Sequence, residues 1–168
     1  LTLPGATASQ NTNYVERPGS MFAGHNPLTV DLWVNNELDP NNYAAMFFGT
    51  KEELPVSYGL LNPSNPAGNM KTVFTNTVNA KEPYMTEVGI SPSDRTKGIA
   101  GPSTKSLKGQ WVKYTTVITE DGITGYMNGE KVGTVPLDRK VSDFGSDLAA
   151  YLGKSYYPDP IIKGSFKV

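Results

Sequence analysis

The sequence predicts an all-β protein, an antiparallel β-sandwich with little or no helix. Three observations carry this. Short apolar stretches alternate with polar residues at period two, the spacing of a half-buried strand. Glycine (17) and proline (13) are spread along the chain as punctuation, so turns recur at short intervals. No stretch has a convincing amphipathic helical period; the best candidate, DFGSDLAAYLG, is short and interrupted by Gly145. About ten to twelve short strands with no repeat unit are most simply accommodated by two packed sheets.

In chain order, NTNYVERP reads as a short first strand stopped by Pro18. PLTVDLWVNN is the clearest strand: Leu28, Val30, Leu32 and Val34 share one face, with Thr29, Asp31 and Trp33 on the other. YAAMFFGT is an apolar run ending at a glycine. VSYGLLNP and MKTVFTNTV look like two arms of a hairpin around the turn formers NPSNPAGN. YMTEVGI is a further strand, and SPSDRTKGIAGPSTKSLKG reads as a long polar loop. QWVKYTTVIT follows, then the tight turn EDGI. In GYMNGEKVGTV, Asn128-Gly129 is the strongest short hairpin signal, because a type I′ turn needs positive φ at both central residues. AAYLGKS and GSFKV close the set.

A chain of 168 residues is enough for one domain with a proper core, so residues 1–168 are read as a single unit, expected to be a fragment of a larger multidomain protein. The opening LTLPGATASQ has neither a charged start nor an apolar signal core. With a formal net charge of −1 and 18% charged residues, there is no electrostatic pull toward nucleic acid or anionic lipid. No apolar run approaches the ~20 residues of a membrane-spanning helix. With no cysteine, disulfides, zinc–thiolate sites and cysteine nucleophiles are excluded together.

The order of features in the second half resembles a known family. GQWVKYTTVITEDGITGYMNGEKVGTV is similar to its tryptophan-opened strand, turn, Y-x-N-G and valine strand. YLGKSYYPDPIIKGSFKV is similar to the Y-x-G-x-S segment and closing G-x-x-x-V strand. Upstream, NYVERPG and LTVDLWVNN resemble the family's opening. Together they resemble a laminin-G-like, concanavalin A-like jelly roll of the type appended to bacterial secreted glycoside hydrolases. The closing strand of that family usually runs on beyond the equivalent of Val168. The resemblance implies a non-catalytic carbohydrate-binding module, secreted or at the bacterial cell surface. Its partners would be an oligosaccharide or polysaccharide and the catalytic domain of the parent chain. A spacer domain, or an adhesin domain that binds protein, is the alternative on the same fold.

An enzyme is not expected in these residues. A glycosidase needs two carboxylates flanking the bond, ~5–9 Å apart. Side chains two apart on a strand share a face, but no E-x-D-x-E pattern exists. Glu52-Glu53 and Glu120-Asp121 are adjacent pairs in turns. His25, the only histidine, reads as a turn residue, and G-x-S-x-G and H-E-x-x-H are absent.

Sugar binding asks for aromatic faces beside a few fixed polar groups. Tyr156 and Tyr157 stand in SYYPD, a proline-stiffened loop, with Asp159 as an acceptor. On an extended segment the two rings would point in opposite directions, one anchoring the loop and the other at the surface. Trp33, opposite the aliphatic face of its strand, and Tyr84 are further candidates, with Tyr58 of the same kind. The strand opened by Trp111 can turn either Val112, Tyr114, Thr116 and Ile118 or Trp111 and Val117 inward, and Trp111 is read as a core-edge residue. No cofactor is expected beyond a structural calcium, for which Asp39 and Asp159 are the available carboxylates, without a dense D-x-D-x-D pattern.

Overall fold

The computed structural model describes residues 1–7, 9–10, 12–37, 44–51, 57–65, 67–75, 85–89, 96–137 and 139–167. They form thirteen strands: β1 (Thr2–Ala6), β2 (Val15–Pro18), β3 (Leu28–Asn36), β4 (Met46–Thr50), β5 (Tyr58–Asn62), β6 (Lys71–Thr75), β7 (Met85–Gly89), β8 (Thr96–Ala100), β9 (Trp111–Ile118), β10 (Gly122–Met127), β11 (Glu130–Pro136), β12 (Leu148–Leu152) and β13 (Ile161–Lys167). The helical content among the described residues is three short 3-10 turns; one of them, Val141–Phe144, reaches only the first two residues of the sequence's best helix candidate, DFGSDLAAYLG, whose Leu148–Leu152 is strand β12.

Six strands make one sheet in the order β1-β13-β3-β9-β10-β11, and seven make the other in the order β2-β12-β4-β5-β6-β7-β8. All pairings are antiparallel except β7 with β8. The β5–β6 hairpin forms as the pattern predicts. Asn128 (φ 53°) and Gly129 (φ 85°) make the left-handed pair that joins β10 to β11.

Period-two alternation places the core. Leu32, Val34, Val112, Tyr114 and Ile118 face inward from the six-stranded sheet and meet Met46, Phe48, Leu61, Phe74 and Val88 from the other. The Phe22 ring stacks on Phe48 at 4.5 Å, and Phe74 on Phe144 at 4.9 Å. The hydroxyls of Thr72 and Thr116, both buried, are 2.8 Å apart, so one donates to the other between the two sheets. Burial pushes the Tyr114 phenol up, and its hydroxyl donates to the Pro63 carbonyl at 3.4 Å.

Three expectations need correcting. β8 lies within the stretch read as polar loop. Its only large apolar residue, Ile99, leaves no alternating pattern, and it is held by backbone pairing at the sheet edge. β1 also lacks a pattern of its own and forms by pairing with β13. Trp111 is not at the core edge: Val112, Tyr114, Thr116 and Ile118 take the inner face, leaving Trp111 37% exposed outside with the Lys167 ammonium 4.1 Å from its ring centre.

Candidate functional site

The two outer faces of the sandwich differ. That of the six-stranded sheet is wet. The Lys113 ammonium pairs with Asp31 at 2.8 Å there, and the Thr124 and Thr134 hydroxyls share a hydrogen bond at 2.8 Å. The outer face of the seven-stranded sheet carries a second apolar cluster: Ala44, Phe47, Tyr58, Leu60 and Val73. MFFGT and YGLLN are buried on both faces, so their apolar runs are nearly continuous. An outer face this apolar needs a cover, and the loop between β12 and β13 provides one.

In that loop two adjacent tyrosines stand between Gly153 and the prolines Pro158 and Pro160. The chain bends at residues 156–158 and does not run extended. Both rings therefore reach the same sheet face, contrary to the expectation of opposite directions. Tyr156 meets Phe47 edge-on at 5.1 Å and Tyr151 at 5.8 Å. Tyr157 meets Tyr58 edge-on at 5.7 Å, with the two hydroxyls 2.7 Å apart. The buried Ser155 hydroxyl accepts from the Tyr157 N–H at 3.1 Å and fixes the bend. Both rings remain half-buried, with an edge to solvent.

The aromatic row extends past the loop. Tyr14 packs edge-on against Tyr151 at 5.5 Å. The Lys154 ammonium lies 4.4 Å from the Tyr14 ring centre and 5.1 Å from that of Tyr151. Burial lowers the Lys154 pKa, with the Glu16 charge opposing. Burial raises the Tyr151 phenol, helped by its hydrogen bond with Tyr156.

At the other end of the loop the face turns ionic. Lys71 lies beside Leu60 and Val73 on the outer side of β6, and its ammonium is 3.2 Å from Glu87 Oε1 on β7. Glu87 is 1% exposed, and its Oε2 has no hydrogen-bond partner among the described residues. Burial raises the Glu87 pKa against the pull of Lys71. Burial raises that of Asp159 too, and Lys71 again opposes. Asp159 is thus within electrostatic reach of an ammonium, which is poor company for calcium. Asp39 lies outside the described residues, and among those described no group of three or more His, Cys, Asp or Glu side chains could hold a metal.

The structure brings Tyr156, Tyr157, Asp159 and Tyr58 together. It does not bring Trp33 to them: Trp33 is 41% exposed on the outer face of the six-stranded sheet, across the sandwich. Tyr84 lies outside the described residues. Sequence reasoning missed Tyr14, Phe47, Tyr151, Lys154, Lys71 and Glu87 as parts of this face. The signal for Phe47 was available in its adjacent pair with Phe48: two neighbouring apolar rings on one strand require both faces to be covered.

A laminin G model described as the concanavalin A-like lectin/glucanases superfamily matches residues 9–167. The chain belongs to the concanavalin A-like lectin/glucanase superfamily. Solved members of laminin-G-like shape superpose along nearly its whole length. A CBM40 of a Ruminococcus gnavus sialidase, bound to α2,6-sialyllactose, has a TM-score of 0.64 at 15% identity, covering 98% of this chain and 82% of that one. Domain 4 of an extracellular GH43 arabinanase from Geobacillus stearothermophilus, in complex with arabinotriose, has a TM-score of 0.62 at 18% identity, covering 99% and 78%. Mouse laminin α1 domains LG4-5 give 0.64 at 14%, covering 96% and 40%. No curated protein sequence matches the chain. At these identities the neighbours establish the superfamily's jelly roll and leave the ligand to the site itself.

Proposed function

We infer that the domain is a non-catalytic carbohydrate-binding module that takes an oligosaccharide or polysaccharide at the tyrosine-lined outer face of the seven-stranded sheet. The observation that carries this reading is the row of half-buried tyrosines, Tyr14, Tyr151, Tyr156 and Tyr157, with Lys154 at one end and Asp159 at the other. Ring faces and edges cover the apolar C–H surface of a sugar, while phenolic hydroxyls, an ammonium and a carboxylate hold its hydroxyls. The solved neighbours with bound saccharides, a sialidase module and an arabinanase domain, support the same role and a parent chain that is a secreted glycoside hydrolase. In such a chain the module raises the local concentration of the enzyme on its polymer by tethering. A glycosidase at this face would need two free carboxylates, whereas Glu87 is engaged by Lys71.

Binding is expected in the micromolar to millimolar range, because a shallow face buries little area and sugar hydroxyls must shed water. One observation favours a purely structural loop: both Tyr156 and Tyr157 pack on the sheet. Calorimetric titration separates the two readings. The ligands are arabinan, arabinogalactan, xylan and fructan oligosaccharides and sialyllactose, and the variants are Tyr151→Ala, Tyr156→Ala and Asp159→Asn. The binding reading predicts that one saccharide binds wild type and that the variants weaken it at least tenfold, the ~1.4 kcal/mol of one lost contact. Melting temperatures several degrees lower with unchanged affinity would leave the loop a structural brace.

A further inference from the structure

The charge on the tyrosine face is arranged in partnerships. Beyond the loop, the Lys71 ammonium lies 3.2 Å from Glu87, whose carboxylate is almost wholly out of water. Lys51, which continues β4 on the Phe47 side of the strand, is paired with Asp147, which leads into β12 on the Tyr151 side. At the opposite end from Lys71, the Lys154 ammonium is taken up by the Tyr14 and Tyr151 rings, 4.4 and 5.1 Å from their centres. Glu16 stands opposite Tyr151 in the β2–β12 ladder, on the same face. Burial lowers the Lys154 pKa and the Glu16 charge opposes it, so that carboxylate acts on the ammonium between the rings. Asp159 is half-buried and within reach of Lys71, which Glu87 already engages. These groups are three ammonium ions and four carboxylates.

A sugar carboxylate gains little from such a face. To be held by Lys71 it would draw the ammonium from Glu87 and leave a buried charge uncompensated. At Lys154 it would meet Glu16, and beside the loop Asp159, both of its own sign. A sugar hydroxyl has no such conflict. It donates to a carboxylate and accepts from an ammonium, so paired ions serve it as well as free ones.

Resting on the saccharide reading of this face, we propose that the face selects uncharged saccharides and turns away acidic ones, those bearing uronate or sialate carboxylates. Glu16 and Asp159 set the discrimination from the two ends of the tyrosine row, and Glu87 sets it from beneath by keeping Lys71 occupied. The ligand class is therefore the neutral pentose and hexose chains.

Calorimetric titration at low ionic strength with ligand pairs that differ by a carboxylate tests this. The pairs are xylotetraose with glucuronosyl-xylotetraose, lactose with sialyllactose, and the methyl ester of trigalacturonate with the free acid; arabinotriose is a further neutral ligand. The proposal predicts that only neutral ligands bind, or that an acidic partner binds roughly tenfold more weakly. It also predicts that Glu16→Gln with Asp159→Asn narrows the gap between partners by about threefold or more, as does about 1 M sodium chloride. An acidic ligand that binds as tightly as its neutral partner or more tightly, and is lost in Tyr151→Ala, overturns the selectivity and leaves the site standing. A gap unaltered by the two substitutions and by salt also overturns it, since the discrimination would then be one of shape. No binding of any ligand at millimolar concentration, or binding that Tyr151→Ala and Tyr156→Ala leave intact, removes the site itself and this inference with it.

Discussion

Replacing Lys71 by methionine removes the positive partner of a carboxylate that has almost no contact with water. Glu87 is 1% exposed and Lys71 14%, with 3.2 Å between their charged atoms. Breaking a buried pair costs about 3–5 kcal/mol, because the remaining charge is uncompensated. The protein has one escape, which is to protonate Glu87. At pH 7, against an ordinary glutamate pKa near ~4.3, that costs about 3.7 kcal/mol, at 1.36 kcal/mol per unit. The defect is therefore capped near 3–4 kcal/mol at pH 7 and near 1 kcal/mol at pH 5. The sign follows from the direction of the shift. Burial raises the Glu87 pKa above its unfolded value, so its contribution is fully present below the ordinary carboxylate range and is lost as pH rises through the folded pKa. Losing Lys71 moves that folded pKa higher and steepens the loss between pH 5 and 7. Urea unfolding of wild type and Lys71→Met at the two pH values reads this directly. Adding Glu87→Leu should recover most of the stability at pH 7, since a buried pair replaced by apolar groups is often neutral. A Lys71→Met defect that is equal at pH 5 and 7, or below ~1 kcal/mol at pH 7, would refute the reasoning.

Two packing predictions accompany it. Leu32→Ala should cost about 2–3 kcal/mol, the low end of core truncations, because Leu32 is 5% exposed but borders a cleft between the sheets; a loss under ~1 kcal/mol in urea unfolding would contradict its core role. Gly59→Ala should destabilise by about 1–3 kcal/mol, because a Cβ there would sit 2.3 Å from the Phe48 ring; thermal melting at the wild-type midpoint would contradict it.

What the sequence shows of this fold follows its side-chain alternation. β3 was legible because Leu28, Val30, Leu32 and Val34 repeat at period two, and the β10–β11 hairpin because Asn128-Gly129 demands positive φ. β1 and β8 were not, because backbone pairing with a neighbour forms them and their side chains carry no pattern. Trp111 was ambiguous because both faces of its strand bear residues that could be buried. In the candidate site, the loop tyrosines and Asp159 stood out by composition. Their packing did not, because a bend at residues 156–158 is invisible to period-two reasoning. Lys71 and Glu87 sit on different strands, and only the β6–β7 register brings them together.

The central claim is that a saccharide sits on the tyrosine face, and amide chemical-shift mapping tests it most directly. The labelled protein would be titrated with arabinotriose, xylo-oligosaccharides and sialyllactose. The account predicts that the binding saccharide shifts a contiguous set of amides in Tyr14–Glu16, Tyr151–Asp159 and Lys71, leaving Trp33 and Trp111 unmoved across the sandwich. Shifts centred on Trp33 and Trp111, or no shifts with any of the three at millimolar concentration, would contradict it.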